Sequence, residues 1–381
     1  MTWPFRQISS GLPVSLSLVL MCSSCKESPV EPAPEHTLAM KGFTYTSFAA
    51  NGFTLGSQSD AVGELAAQIG NDWIALTVFE YQRNDTASDI APNVSGRNPV
   101  TDSVWSTSST EDDLREGIRQ ARLHGMKVML KPQVDLYTGV WRAAIRPDGQ
   151  GNWFRSYTAM ILKYARIAAE TNAEMLCIGT EFVVGTQSGY SAQWRTVIDS
   201  IRHHYTGKLT YAANWSGASD FGISNPEFEQ VEFWNSLDYI GIDSYYPLTD
   251  ARTDAIPSFN SSITRMAAHD LEIASIANRF HMSVIITETG IQSVKGSLAS
   301  PWDFSLGAAA GAIQDTSAQE FYYRVMIDAL GKQQWCAGMF WWNWESVPSS
   351  NAATNYTPQN KAAARTLRQW YRLPTIWSAM Q

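Results

Sequence analysis

Eight short runs rich in Val, Ile, Leu and aromatic residues recur along this 381-residue chain, most followed by a stretch with apolar positions at helical spacing. The runs are residues 40–47, 73–81, 127–135, 174–182, 208–215, 237–246, 283–290 and 336–345. Most are near-continuous apolar stretches without clean polar alternation, as strands covered on both faces require. Between them, helical patterns occupy 61–69, 111–124, 152–171, 192–205, 263–280, 318–330 and 361–371, with 225–235 the weakest of the set. In the first, Val62, Leu65, Ala66 and Ile69 fall at helical spacing. The second opens with acidic residues after Ser/Thr caps, which suits a helix N-terminus. Alternating strands and helices imply parallel strands joined by crossover helices. Eight is the number that closes a (β/α)8 TIM barrel, so residues 38–381 are expected to form one α/β domain of that class. A doubly wound open sheet is the alternative. It is disfavoured because Thr46-Ser47-Phe48, not a Gly-rich phosphate loop, follows the first strand.

A hydrophobic fraction of 44% and a charged fraction of 17% describe a globular chain. The formal net charge of −8 leaves no Lys/Arg stripe to displace counterions, which argues against a nucleic-acid partner. Fifteen tryptophans either enlarge a core or stack against the apolar faces of sugar rings. At the N-terminus, Arg6 precedes an apolar run at 11–21, too short to cross ~30 Å of hydrocarbon as a helix. The small residues before Cys25 form a lipobox-like site, with Cys22 the poorer candidate because Met21 would sit at its cleavage position. Residues 1–25 are therefore expected to be a lipoprotein-type signal peptide, and Cys25 the lipid-anchored N-terminus of an exported protein in the bacterial cell envelope, at the outer membrane or cell surface. An ordinary cleaved signal peptide is the alternative. Residues 26–37, rich in Pro and Glu, read as a flexible tether. Cys177 and Cys336 each lie in an apolar run and are expected to be buried thiols, and no Cys or His spacing suggests a metal site.

A closed parallel barrel carries its chemistry where the strands end. The residues at those ends are Tyr45, Glu80, Lys131, Gln133, Asp135, Glu181, Asn214, Trp215, Asp243, Tyr245, Glu288, Trp342 and Trp344. Two strands finish alike, as Cys177-Ile178-Gly179-Thr180-Glu181-Phe182 and Ile285-Ile286-Thr287-Glu288-Thr289-Gly290. They are the fourth and seventh, which lie across the barrel mouth from each other, so their carboxyls can converge over a bound ring. Retaining glycoside hydrolysis uses such a pair, one carboxylate as nucleophile and one as acid/base, ~5–5.5 Å apart. Of the other carboxylates, Asp135 and Asp243 read as groups that position substrate hydroxyls or orient neighbours, and Glu345 as rim.

Lys131-Pro132-Gln133-Val134-Asp135, Ile178-Gly179-Thr180-Glu181-Phe182, Leu209-Thr210-Tyr211-Ala212-Ala213-Asn214-Trp215, Tyr239-Ile240-Gly241-Ile242-Asp243-Ser244-Tyr245-Tyr246-Pro247-Leu248 and Ile286-Thr287-Glu288-Thr289-Gly290, in that order, resemble glycoside hydrolase family 113. That is a clan A family of retaining (β/α)8 enzymes known mainly for β-mannanase activity. The resemblance implies Glu181 as general acid/base and Glu288 as nucleophile. It also implies that Tyr245 hydrogen-bonds the nucleophile, where packing against Pro247 is the structural alternative. Trp342 or Trp344 would form the platform beneath the sugar; alternation places both on one face of the eighth strand, opposite Trp341 and Asn343. Lys131, Gln133, Asp135, Asn214, Trp215 and Asp243 complete the expected substrate-binding set, with a structural ion pair as the alternative for Lys131.

Two positions depart from the pattern. Thr180 stands where many clan A enzymes have an Asn that contacts the sugar 2-hydroxyl, which leaves that contact to Asn214. Gln133 stands where His is more usual. Segments 83–110 and 291–317 are expected to border the cleft and narrow it toward recognition of a chain end. The function expected is cleavage of β-mannosidic bonds in mannan-type polysaccharides or oligosaccharides by a single catalytic domain, with no metal or organic cofactor. A same-scaffold hydrolase of β-linked glucosyl or glucosaminyl substrates is one alternative. A non-catalytic carbohydrate-binding lipoprotein is the other, and the presence of both glutamates argues against it.

Overall fold

The structure, a computed structural model, describes residues 38–54, 61–345 and 349–372; the expected signal peptide, the tether and Cys25 lie outside the described residues. Eight strands form: β1 (Met40–Thr46), β2 (Trp73–Gln82), β3 (Lys127–Leu136), β4 (Met175–Thr180), β5 (Lys208–Asn214), β6 (Tyr239–Asp243), β7 (Val284–Thr289) and β8 (Cys336–Trp344). All pair in parallel in sequence order, and β8 returns to β1 through Met40↔Gly338 and its neighbours. The closed (β/α)8 barrel expected from the sequence is the observed fold. Closure leaves no strand edge unpaired.

The helices are α1 (Ala61–Ile69), α2 (Glu111–Leu123), α3 (Asn152–Glu170), α4 (Ser191–Arg202), α5 (Glu227–Gln230), α6 (Phe259–Phe280), α7 (Thr316–Met326) and α8 (Ala362–Tyr371). Their starts are set by local chemistry: Thr110, Ser258 and Asp315 each accept a backbone N–H of the first turn of α2, α6 and α7. The weakest helical pattern became the shortest helix, the four residues of α5. Each main helix turns one apolar stripe to the barrel, as with Leu114, Ile118 and Ala121 of α2.

Two apolar layers result. An outer layer between strands and helices includes Trp153, Tyr157, Phe182, Trp194, Tyr211 and Trp234. An inner cluster of Met40, Trp73, Ala75, Met129, Met175, Cys177, Ala212, Ile285 and Phe340 plugs the barrel. Cys177 and Cys336 are buried thiols. Along β3 the alternation that points Met129 into this plug carries Lys131, Gln133 and Asp135 upward on the same side. The polar site therefore rests directly on the apolar plug.

Register shifts interrupt the alternation in four strand pairs. Between β6 and β7, Ile242 pairs with Ile286 but Asp243 with Glu288, so β7 carries one extra residue. Between β1 and β8, Phe43 pairs with Trp341 and Tyr45 with Trp344. Others separate Cys177 from Thr180 in the β4–β5 pairing, and Val284 from Ile285 and Ile286 from Thr289 in the β7–β8 pairing. Bulges of this kind turn a side chain to the other face of the sheet.

Close approach of β8 to the end of β7 requires glycine: a Cβ at Gly290 would stand 2.4 Å from the Trp342 carbonyl oxygen. Backbone cannot yield as a side chain can. Gly290→Ala is therefore expected to destabilise the fold by ~1–3 kcal/mol, read from denaturant unfolding midpoints. An unchanged midpoint would show that the two strand ends can part freely.

Candidate active site

All strand C-termini open on one face, and the two glutamates stand there, Glu181 8% and Glu288 6% exposed. Each is held by a different set of donors. Glu288 Oε1 accepts from Lys131 Nζ and from Gln133 Nε2 at 3.1 Å, and Oε2 accepts from the Tyr245 hydroxyl at 2.8 Å. Lys131 also donates to both oxygens of Asp243, at 3.0 and 3.2 Å, and Thr287 Oγ1 donates to Asp243 Oδ1 at 2.7 Å. The result is one fully buried ammonium between two carboxylates.

Burial alone would lower the Lys131 pKa, but Asp243 and Glu288 outweigh it and hold the ammonium above its usual range. Burial raises the Asp243 carboxyl well above the ordinary carboxylate range; Glu288 beside it adds to this and Lys131 opposes it. The Tyr245 hydroxyl is likewise pushed up, by burial and then by Glu288, so it stays a proton donor.

Glu181 closes β4 with φ 54°, in the left-handed region that few non-glycine residues occupy. Its Oε1 accepts from Asn214 Nδ2 at 2.7 Å. Oε2 accepts from Trp141 Nε1 at 3.0 Å and from Arg142 at 3.3 Å. Arg142 also donates twice to Asp135 Oδ1, at 2.6 and 3.0 Å. Burial works against its charge, but Asp135, Glu181 and Glu288 together keep the guanidinium protonated. Both glutamates thus act on one arginine, which places them in a single electrostatic neighbourhood.

Residues 43–361 match the sequence profile described as Glycoside Hydrolase Family 113. The chain belongs to that family. It is a glycoside hydrolase. A complex structure of a β-1,4-mannanase of the family shares 23% identity and a TM-score of 0.71 with the hydrolase, covering 89% of this chain and 100% of that one. The family's β-mannanase from Alicyclobacillus acidocaldarius in complex with ManMIm shares 24% identity at TM-score 0.70, covering 87% and 96%. A β-glucuronidase from Ruminococcus gnavus shares 11% identity at TM-score 0.55, covering 88% of this chain and 50% of that one. At these identities the likeness is one of fold. No curated protein sequence matches the hydrolase significantly.

The structure brings Lys131, Gln133, Tyr245 and Asp243 together around Glu288, and Asn214 and Asp135 around Glu181. It corrects several expected roles. Lys131 and Asp243 are fully buried and engaged with each other and Glu288, so they lie beneath the site instead of lining a sugar subsite. The structural ion pair is the reading that holds for Lys131. Asn214 gives one amide N–H to Glu181, and its Oδ1 accepts from Ser216 N and Oγ, which leaves its second amide N–H as the group available to a sugar hydroxyl.

Trp342 and Trp344 do not share a face. Trp344 is fully buried, edge-on to Phe43 at 5.8 Å, and only Trp342 is partly exposed; the extra residue on β8 breaks the alternation. Trp215 is partly exposed and packs on Tyr246 and on the exposed Trp302, ring centroids 5.0 and 5.5 Å apart. Trp302 belongs to the segment expected to border the cleft. Of the other carboxylates, Glu80 faces outward to Lys163 and Tyr164 of α3, and Glu345 braces Ser349 and Asn355.

Three residues went unnoticed in the sequence. Trp141 and Arg142 sit in the loop after β3, where a Trp-Arg pair following a strand end at the mouth was the available signal. Glu227 gave none, since Glu227-Phe228-Glu229-Gln230 reads as the exposed acidic start of a helix.

Removing the ammonium at the base of this site leaves two buried carboxylates without a cation. Lys131→Met is expected to cost ~3–5 kcal/mol of stability, measured by chemical denaturation. A loss below ~1 kcal/mol would mean that the cation does not compensate these charges.

Proposed function

We propose that the hydrolase cleaves β-mannosidic bonds with retention of configuration, Glu288 attacking the anomeric carbon and Glu181 acting as acid/base. The observation that carries this reading is the pair of unlike cradles. Glu288 has an ammonium on one oxygen and a hydroxyl on the other, which fixes its orientation for attack. Glu181 is held by an indole, an amide and a guanidinium at the open side, where a leaving group would lie.

In the first step a Glu288 oxygen bonds to the anomeric carbon as the glycosidic C–O bond breaks, and Glu181 delivers its proton to the departing oxygen. In the second, Glu181 takes a proton from water, whose oxygen displaces Glu288. The cycle consumes one water and needs neither metal nor organic cofactor. Trp342 is the better candidate for the sugar platform, because an aromatic platform must be solvent-accessible. Trp141 and Trp302, 41% and 48% exposed, and partly exposed Trp215 supply further rings at the rim. Mannan-type substrates are favoured because the similar solved structures of this family are described as β-mannanases.

Glu288→Ala should abolish turnover on a β-mannoside with an activated leaving group, and azide should restore part of it with an α-mannosyl azide as product. Unchanged activity, or rescue that gives a β-azide, would end the nucleophile assignment. A panel of mannan, glucomannan and chitosan, followed by product analysis on a manno-oligosaccharide, tests the sugar and the cleavage position. Preferred turnover of a glucosyl or glucosaminyl substrate would replace mannan in this reading.

We also infer export and lipid anchoring at Cys25, supported by the apolar run and the small residues before it. Cys25→Ser should move the protein from the membrane to the soluble fraction of a bacterial host. Retention of the variant in the membrane would overturn the anchor.

A further inference from the structure

We propose that Glu227 is a positioning residue for Glu181, clamping both the backbone that follows Glu181 and the side chain that touches it. The inference rests on Glu181 being the acid/base.

Glu227 is fully buried at the start of α5. Its Oε1 accepts from Thr186 Oγ1 at 2.8 Å and from the Tyr211 hydroxyl at 2.7 Å, and its Oε2 accepts from the Asn214 backbone N–H at 2.7 Å. Among the described residues no Lys, Arg or His forms an ion pair with it. A buried carboxylate without a cation is a costly choice where an apolar side chain would fill the same space.

What it holds explains that choice. Tyr211, which donates to Glu227, accepts from the backbone N–H of Phe182 at 2.7 Å, the residue directly after Glu181. Asn214, whose backbone donates to Glu227, reaches Glu181 Oε1 with its amide. Glu227 therefore closes a loop of hydrogen bonds around Glu181 from two sides. Glu181 needs such support, since a glutamate at φ 54° persists only where its surroundings over-determine it. The neighbourhood is built to match: a Cβ at Gly179 would stand 2.8 Å from the Tyr211 ring, so glycine two residues before Glu181 admits that ring.

The network suits a carboxylate and not a carboxylic acid. Two of its partners, the Asn214 backbone N–H and the Tyr211 hydroxyl that itself accepts from Phe182 N, are committed as donors; only the Thr186 hydroxyl, 3.2 Å from the Phe182 carbonyl oxygen, could turn to accept. Burial pushes the Glu227 carboxyl up to about 7, against the hydrogen bonds from Asn214, Tyr211 and Thr186 and with Glu181 adding to the rise. Tyr211 and Glu181 are its titratable neighbours. Burial and Glu227 push the Tyr211 hydroxyl well above its usual range, so it remains the donor.

The test uses two aryl β-mannobiosides, one with dinitrophenol and one with phenol as leaving group, and compares kcat/KM. Only the poor leaving group requires a proton from the acid. E227Q is expected to lose ~10–100-fold on the phenyl substrate, as sub-ångström misplacement of an acid predicts, and to remain close to wild type on the dinitrophenyl substrate. Tyr211→Phe, which keeps the ring in its packing and removes the link to Phe182 N, should show the same split to a smaller degree, and it serves as the reporter should E227Q not fold. Equal loss on both substrates, or loss on neither, overturns the proposal. E181Q is the control and should show the split in full; a flat E181Q would instead overturn the acid/base assignment itself.

Discussion

A single ammonium, that of Lys131, marks the level at which the barrel stops being a core and becomes a site. Below it the lumen is filled by Met129, Met175, Cys177 and Phe340. Above it Gln133, Asp243, Tyr245 and Glu288 are joined through hydrogen bonds to the ammonium or to one another. Two carboxylates cannot stand side by side in so dry a place without a cation. The charge is mutually compelled: Asp243 and Glu288 keep the lysine protonated, and the lysine offsets the burial of both. With Tyr245 and Gln133 completing the contacts, Glu288 has little freedom to turn. Such pre-set geometry costs nothing further when the substrate arrives.

The second glutamate is held on another plan. Glu181 sits on a backbone turn that is unfavourable for its residue type, and its contacts come from loops as well as strands. Trp141 and Arg142 reach it from the β3 loop, Asn214 from the end of β5. Arg142 is shared with Asp135, and Trp141 is 41% exposed, so this cradle reaches the rim of the mouth. Glu288 is thus held mainly from inside the lumen, and Glu181 from the surrounding loops and strand ends.

Much of this was legible in the sequence because barrel strands are strongly patterned. Runs buried on both faces identified all eight strands, with the largest boundary error at β6, where the expected 237–246 shortened to Tyr239–Asp243. The paired Thr-Glu endings identified Glu181 and Glu288, since a polar residue after an apolar run has no place in the plug. Strict alternation fails at the register shifts, whereas the roles of Lys131 and Asp243 turned on burial and ion pairing that no strand pattern carries. Trp344 was grouped with Trp342, yet the register shift against β1 sends it into the core. Similarly, alternation from Ile285 and Thr287 would turn Glu288 toward the helices, and the bulge against β6 returns it to the mouth.

Periodicity and composition by themselves determined the (β/α)8 architecture, the face that carries chemistry and the two acids at the strand ends. Those properties follow from short-range patterns that any chain with this sequence must express. Only the tertiary structure decided which neighbours those acids have. Lys131 became an internal counter-ion, Arg142 a shared clamp, and Glu227 a buried anchor, because closing the barrel brings together residues between 7 and 157 positions apart in the chain. Charge balance in a dry lumen is a sum over such distant groups, and no local pattern encodes it.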